Sequence, residues 1–518
     1  MPHYHFNLKN KNLLDDIESN HKFEVNLFKN KVMLTGNAAV VEKYYKEDVA
    51  RFEDKYEQSS RTNTFWYNVG PKNARVFFGI IKMINDSIVK LVTSGGFNVT
   101  VEKDDETVDE ERTERLNEIL EFNLFKDKKW GLGEAFSSGL GFTPIKLSID
   151  RDIEDMPLIE VIDPMKYESQ TRRGFVYLHK AKTRKEVDKT MYEIQEVHYK
   201  KDGKPVIEYK VYNVQGNTTE VKLNELTQEE LEKLGLDHLD GNPIITDFES
   251  LHDLPVILHN NTAYNTFFPN APYGEPDTQG LDLIEDALSE TLSNLIEEIR
   301  KGRIKVLISE ELVKRDGDGK ALGFDDFKLD YELMGRFEAE GKNLIQIVQG
   351  EINSEKYVKA IGALIMYACN KAGLHPITVG LTGVESIAAS DESQQEREKV
   401  SMRTREEKLA RWRETLKRLF KRVLEVDDIM QSRPIGDYKI HIEFGEFSNP
   451  TPQAIISVLN EAVTAGVMSM RKAQDKWQGE DLTDEEKEIE YIRTLIEKGL
   501  PLTENQRDKY EATQRSDD

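Results

Sequence analysis

From Asp391 to Val426 the chain contains no Gly and no Pro, and this stretch constrains the fold more than any other. Leu409, Trp412, Leu416, Leu419, Phe420 and Val423 recur there at helical spacing, with Arg, Lys and Glu between them. That spacing predicts one apolar stripe on a very long helix. At 1.5 Å per residue such a helix spans roughly 50 Å, far more than an average globular helix. A helix of that length connects one body to another, so the chain must supply something at each end.

The 518 residues exceed what one hydrophobic core usually organises. Apolar content of 38%, with 22 Phe and 19 Tyr, excludes wholesale disorder. No run reaches membrane-spanning length, and Met1-Pro2-His3-Tyr4-His5-Phe6 does not read as a secretion signal. The lone Cys369 sits among Ile365, Met366, Tyr367 and Ala368 and is expected to be a buried thiol in a protein made in a reducing cytoplasm. A net charge of −24 argues against tight nucleic-acid binding, which needs Lys and Arg to neutralise phosphates. It allows work beside DNA that must not stick.

Periodicity predicts an α+β chain. Residues 1–40 are expected to form an extended arm, and Ala38–Tyr56 and Pro71–Val92 to form helices, the second with Pro71 in its first turn. Phe97–Val101 and Thr143–Ile149 alternate as strands. From Leu158 to Leu258 a period of two predicts an antiparallel sheet with turns such as Lys201-Asp202-Gly203. Past a Pro/Gly boundary at Asn270–Asp277, a stripe of Leu281, Ile284, Leu288, Leu292, Leu295 and Ile299 predicts a helix. A small unit with strands at Arg303–Ile308 and Leu344–Val348 follows, then a helix at Ser354–Gly373 with a broad apolar girdle. A short linker leads into the long helix. Tyr438–Phe444 reads as a strand, and short helices at Pro452–Ala465, Met468–Trp477 and Thr483–Lys498 precede a polar tail.

Enzymatic motifs are missing. No P-loop, dinucleotide-binding turn, His-Glu-x-x-His or Gly-x-Ser-x-Gly sequence occurs. Asp316-Gly317-Asp318-Gly319-Lys320 resembles a calcium loop only superficially, since Ala321 stands where the loop needs Gly and Phe327 where it needs Glu. No catalytic, cofactor or metal residues are expected.

The ordered set Pro272-Tyr273-Gly274-Glu275-Pro276-Asp277, helix, small insert, helix, Gly373-Leu374-His375-Pro376, loop and long helix resembles the portal proteins of tailed bacteriophages of the long-tailed type. The strand Ile440–Phe444 and Ala465-Gly466-Val467-Met468-Ser469 extend the likeness. The resemblance implies an N-terminal arm (1–40), an α+β wing (41–270), stem helices (271–302 and 354–374), a clip (303–353) and a tunnel-loop region (375–390). It further implies the long helix with a returning wing strand (391–447), and a crown with a polar tail (448–518).

It also implies a ring, typically of twelve subunits, at one capsid vertex of the virion, assembled in the host bacterial cytoplasm. Double-stranded DNA would enter and leave through the ring. The terminase large subunit and then a head-completion adaptor would dock on it, with major capsid and scaffolding proteins around it. Thr382, Gly383, Val384, Glu385, Ser386, Ile387, Ala388 and Ala389 match the tunnel loop, with Glu385 as an inward charge. Two glycines in Val379–Ser390 suit a mobile segment close to DNA.

The long helix carries eleven Lys or Arg against eight Asp or Glu, which reads as a salt-bridged surface between subunits in preference to a DNA contact. Arg397, Arg403, Arg411 and Lys417 are therefore interface candidates, with Leu288, Leu292, Ile361 and Leu364 on the stem helices. The alternative is a nucleic-acid-processing enzyme or accessory factor of phage origin, which would need a carboxylate constellation that the sequence does not single out.

Overall fold

The computed structural model describes residues 20–48, residues 75–301 apart from 104–106, 216–217, 240–241 and 246, the strands at 305–309, 331–334 and 345–348, and residues 354–380 and 391–445. Towards the C-terminus it describes 459–460, 463–464, 466, 468–478, 484–497, 499, 501–503 and 506–507. The fold is α+β and falls into two compact units, Met1–Gly445 and Glu446–Asp518.

In chain order the first unit holds helices α1 (Asn20–Leu34), α2 (Ala38–Lys43) and α3 (Ile80–Thr93), strand β1 (Phe97–Glu102), and helices α4 (Glu110–Phe122) and α5 (Trp130–Leu140). Strands β2 (Phe142–Ser148), β3 (Leu158–Val161), β4 (Tyr167–Arg172), β5 (Phe175–Val187), β6 (Thr190–Lys201), β7 (Lys204–Asn213) and β8 (Thr219–Val221) follow. After α6 (Gln228–Leu234) come β9 (Ile244–Ile245), β10 (Val256–Asn260) and α7 (Asp282–Lys301). The set closes with β11 (Lys305–Ser309), β12 (Tyr331–Met334), β13 (Ile345–Val348), α8 (Ser354–Lys371), α9 (Asp391–Met430) and β14 (Lys439–Phe444).

The period-two region forms a six-stranded antiparallel sheet, β4-β5-β6-β7-β8 with β9 also on β7. Its β6–β7 turn places Asp202 and Gly203 both at positive φ, the backbone that matches the twist of a hairpin. A three-stranded sheet, β10-β2-β3, brings residues from either side of this region together. β1 pairs with β14 across most of the chain, Phe97 opposite Phe444. The insert between α7 and α8 is a sheet of order β12-β11-β13, with β11–β12 parallel.

The core lies along α9. All six residues of its predicted stripe are buried, and Trp412, Leu416, Leu419, Phe420 and Val423 are wholly so. Phe420 stacks on Phe97 at 5.7 Å, and Phe97 meets Trp130 edge-on at 5.1 Å. These rings join α9, α5 and the β1–β14 pair into one aromatic mass, each buried ring contributing roughly 1.5–3 kcal/mol of transfer free energy.

Three expectations need correction. Residues 20–34, read as part of an extended arm, form α1, with Val25, Leu27, Val32 and Met33 buried. Its apolar side chains surround the helix instead of forming one stripe, because Phe23 also packs against Phe268 and stacks on Tyr273 at 5.0 Å. The helix expected from Pro71 starts at Ile80, behind a left-handed Gly79, because neighbouring side chains claim the backbone of 76–81, as described below. The helix expected over Ala38–Tyr56 is α-helical over Ala38–Lys43 and continues as a wider π turn over Tyr44–Asp48, and its remaining part, 49–56, lies outside the described residues.

In the second unit, α10 (Met470–Gln478) and α11 (Asp484–Glu497) pack together. Gln474 donates to Thr494 at 3.0 Å, Arg471 lies over the Tyr491 ring, and Ala473, Ile492 and Leu495 are buried.

Candidate assembly interface and its anchors

Helices α7 and α8 form an antiparallel hairpin. Lys371, the last residue of α8, donates to the Gly280 carbonyl just before α7 at 3.1 Å. The insert sheet therefore joins the far ends of the two helices. The side facing the chain buries Leu281, Leu288, Ile365, Ala368 and Cys369, and burial pushes the Cys369 thiol up to about 11. The other side leaves Leu283 at 72%, Val358 at 61% and Tyr367 at 60% exposure, with Ile299 also exposed. Of the interface candidates, Leu288 is wholly buried in the chain's own core, and Leu292, Ile361 and Leu364 are half-buried. The free apolar surface thus lies beside these four candidates and takes in Ile299 at the end of the expected stripe. Covering one such side chain is worth roughly 1.5–3 kcal/mol.

A ladder of side chains fixes α7 to the rest of the unit. Ser293 accepts from the Val76 N–H at 3.0 Å and Ser289 from the Phe78 N–H at 3.1 Å. Glu285 accepts from the Gly79 N–H at 2.7 Å and from the Ile81 N–H at 3.2 Å. Four residues of helix rise about 6 Å, close to two residues of extended chain, so positions spaced by four read alternate amides. Glu285 also satisfies the otherwise orphaned first amides of α3, where Gly79 has no side chain to do so. Burial pushes the Glu285 carboxyl up, against these N–H groups, which favour its charged form.

The long helix has two polar anchors. At the first, Lys408 reaches Asp277 at 2.6 Å and Asn261 at 2.5 Å, and lies 3.4 Å from Glu134. Trp412 donates its indole N–H to the other Glu134 oxygen at 2.5 Å. His259 stacks on Trp412 at 3.7 Å and bonds Thr415 at 2.8 Å, its pKa held well below normal by burial and by Lys408. Burial raises the Glu134 carboxyl. Burial opposes the Lys408 charge as well, yet Asp277 and Glu134 outweigh it and raise that ammonium. One turn earlier Arg405 donates to the Leu91 carbonyl at 2.9 Å and to Gly445 at 2.6 Å, tying α9 to the end of α3 and to the chain after β14.

The second anchor is the helix end. Asp427 and Asp428 are wholly buried where the helix dipole disfavours negative charge. Three guanidiniums compensate: Arg115 and Arg433 hold Asp427 at 2.9 and 2.6 Å, and Arg112 holds Asp428 at 3.0 Å. Tyr438 also donates to Asp428. Sequence reading missed this cluster. Its one signal was a pair of acids in the last turn, and two of the three guanidiniums, Arg112 and Arg115, lie some three hundred residues away.

Among the expected helix cations, Arg403 is 82% exposed and pairs with Glu407 at 3.2 Å, Arg411 is exposed and Lys417 half-buried. Arg397 lies on α9 where side chains are not described, and Thr382–Ala389 lie outside the described residues. Among the described residues no helix is long and apolar enough to cross a membrane.

No protein-family model matches the chain, and no curated protein matches it. Among solved structures, a chain from the neck of an empty GTA particle, computed with C6 symmetry, is similar at 9% identity and a TM-score of 0.36, over 82% of this chain and 90% of that one.

Proposed function

We propose that the protein is a portal subunit, one copy of a closed ring of twelve at a capsid vertex of a tailed-phage virion. The observation that carries the reading is the α7–α8 hairpin. It is fastened to its own chain by the Glu285–Ser289–Ser293 ladder, yet it presents Leu283, Val358 and Tyr367 to solvent. A hairpin with apolar residues on two sides suits neighbours in a ring. A small sheet joins its two helices and the long helix follows, in the order that the sequence resemblance requires.

In this reading the ring conducts double-stranded DNA without sequence specificity. A wall built from subunits of charge −24 repels phosphates and lets the duplex slide. The loop at 382–389 meets the DNA, and the insert at 303–353 docks the terminase large subunit and later a head-completion adaptor. Capsid and scaffolding proteins surround the body. The chain is a conduit and not an enzyme.

Deleting Thr382–Ala389 tests the conduit. The shortened protein should assemble normally but package or retain less DNA in an in vitro packaging assay. Unchanged packaging, or failure to assemble, would overturn the loop's assignment.

A further inference from the structure

Among the described residues strand β10 is an edge strand, since only β2 pairs with it. Leu147 donates to the Pro255 carbonyl and Asn261 to the Gly141 carbonyl, so the odd-numbered residues of β10 face β2. In an antiparallel ladder the alternate residues then point their N–H and C=O groups the other way. Those of Val256, Leu258 and Asn260 look into a groove of about 940 Å³.

The long helix forms one wall of this groove, with Arg411 and Arg418 beside Glu407 and Glu414, and β5 forms the other, with Val176 and His179. Arg411 has no ion-pair or hydrogen-bond partner among the described residues, and Arg418 reaches only the Glu414 carbonyl at 3.4 Å. At the groove's end the Asn260 Oδ1 atom is buried with no hydrogen-bond partner. An open sheet edge, an orphaned acceptor and two unpaired guanidiniums thus share one cleft. Open edges of this kind are normally covered or blunted.

We infer that this groove receives an extended, acidic segment from a second copy of the chain, which adds to β10 as a new strand. Main-chain hydrogen bonds to Val256, Leu258 and Asn260 supply affinity, and acidic side chains alternating toward α9 meet Arg411 and Arg418. The charge complementarity favours a second copy: on the helix wall Glu407 is taken up by Arg403, Arg411 and Arg418 together outweigh Glu414, and the chain as a whole carries 95 acidic against 71 basic residues. The inference rests on the ring reading and locates a contact remote from the α7–α8 hairpin.

Residue-resolved amide exchange on the full-length protein, assembled and dissociated, tests it. The Val256, Leu258 and Asn260 amides should exchange at least tenfold more slowly in the assembly, whereas those of Ile257 and His259 stay protected in both states. Leu258→Pro removes one free-edge donor without touching the β2 ladder. It should weaken assembly at least tenfold relative to Leu258→Ala, which loses the same packing against the neighbouring core but keeps the edge amide.

Assembly without protection of the three amides overturns the strand addition and leaves the ring reading standing. So does wild-type assembly by Leu258→Pro. Protection that appears only when a different protein is added overturns the second-copy assignment. A chain that never associates overturns both readings.

Discussion

Lys408 on the long helix and Asp277 just ahead of helix α7 form an ion pair at 2.6 Å, although 131 positions separate them in the chain. The pair couples the helix that organises the core to the segment that launches the hairpin. Lys408 is buried and the Asp277 side chain is only 15% exposed, so water can replace little of what its removal takes away.

Lys408→Ala should therefore be severe. It leaves the buried Glu134 and the partly buried Asp277 without their cation, and losing one partner of a buried pair costs about 3–5 kcal/mol. Denaturant unfolding of the variant should show a loss of that order. Lys408→Met combined with Glu134→Gln and Asp277→Asn should recover part of it, because no uncompensated charge remains.

The glycines make a paired test. A Cβ on Gly95 would overlap the Gly445 carbonyl where the chain segments after α3 and β14 meet, so Gly95→Ala should destabilise by roughly 1–3 kcal/mol. Gly131 lies within α5, and a Cβ there meets nothing closer than Val89 at 3.9 Å. Gly131→Ala should be neutral or stabilising by up to about 1 kcal/mol, the helix preference of Ala. Thermal denaturation of both variants reads the contrast.

His179 gives the pH dependence a definite sign. Burial, and then the neighbouring His198, depress it from 6.5 to about 4. Between those values the unfolded chain binds a proton that the folded chain refuses, so stability falls as pH drops from 6.5 to 4 and then levels for this group. His179→Asn removes the group, and its stability should change less steeply across that window than the wild type's. Equal slopes would show that His179 titrates normally.

Replacing exposed apolar residues of the hairpin separates assembly from folding. Val358→Glu and Tyr367→Ser should leave stability of the dissociated chain within about 0.5 kcal/mol, as surface changes usually do. Both should lower the fraction of protein in the assembled form, measured by sedimentation velocity.

How much of this was legible in the sequence follows from where the signals are local. The stripe from Leu409 to Val423 and the Asp202-Gly203 turn depend on neighbours a few positions away, and both occur as expected. The start of α3 at Ile80 instead of Pro71 was not legible, because Glu285, Ser289 and Ser293 lie some two hundred positions downstream. Helix α1 was hidden for the same reason, since its apolar residues answer Phe142, Phe268 and Tyr273 and so show no single-stripe period. Of the site, the hairpin helices were legible but their free face was not. The Leu288 position looked like interface and belongs to the core, because a stripe does not say which body covers it.

Images of the purified, full-length protein viewed down its symmetry axis test the central claim most directly. The account predicts closed rings of one stoichiometry with a central hole. A monodisperse monomer at every concentration, or open filaments without closure, would contradict it.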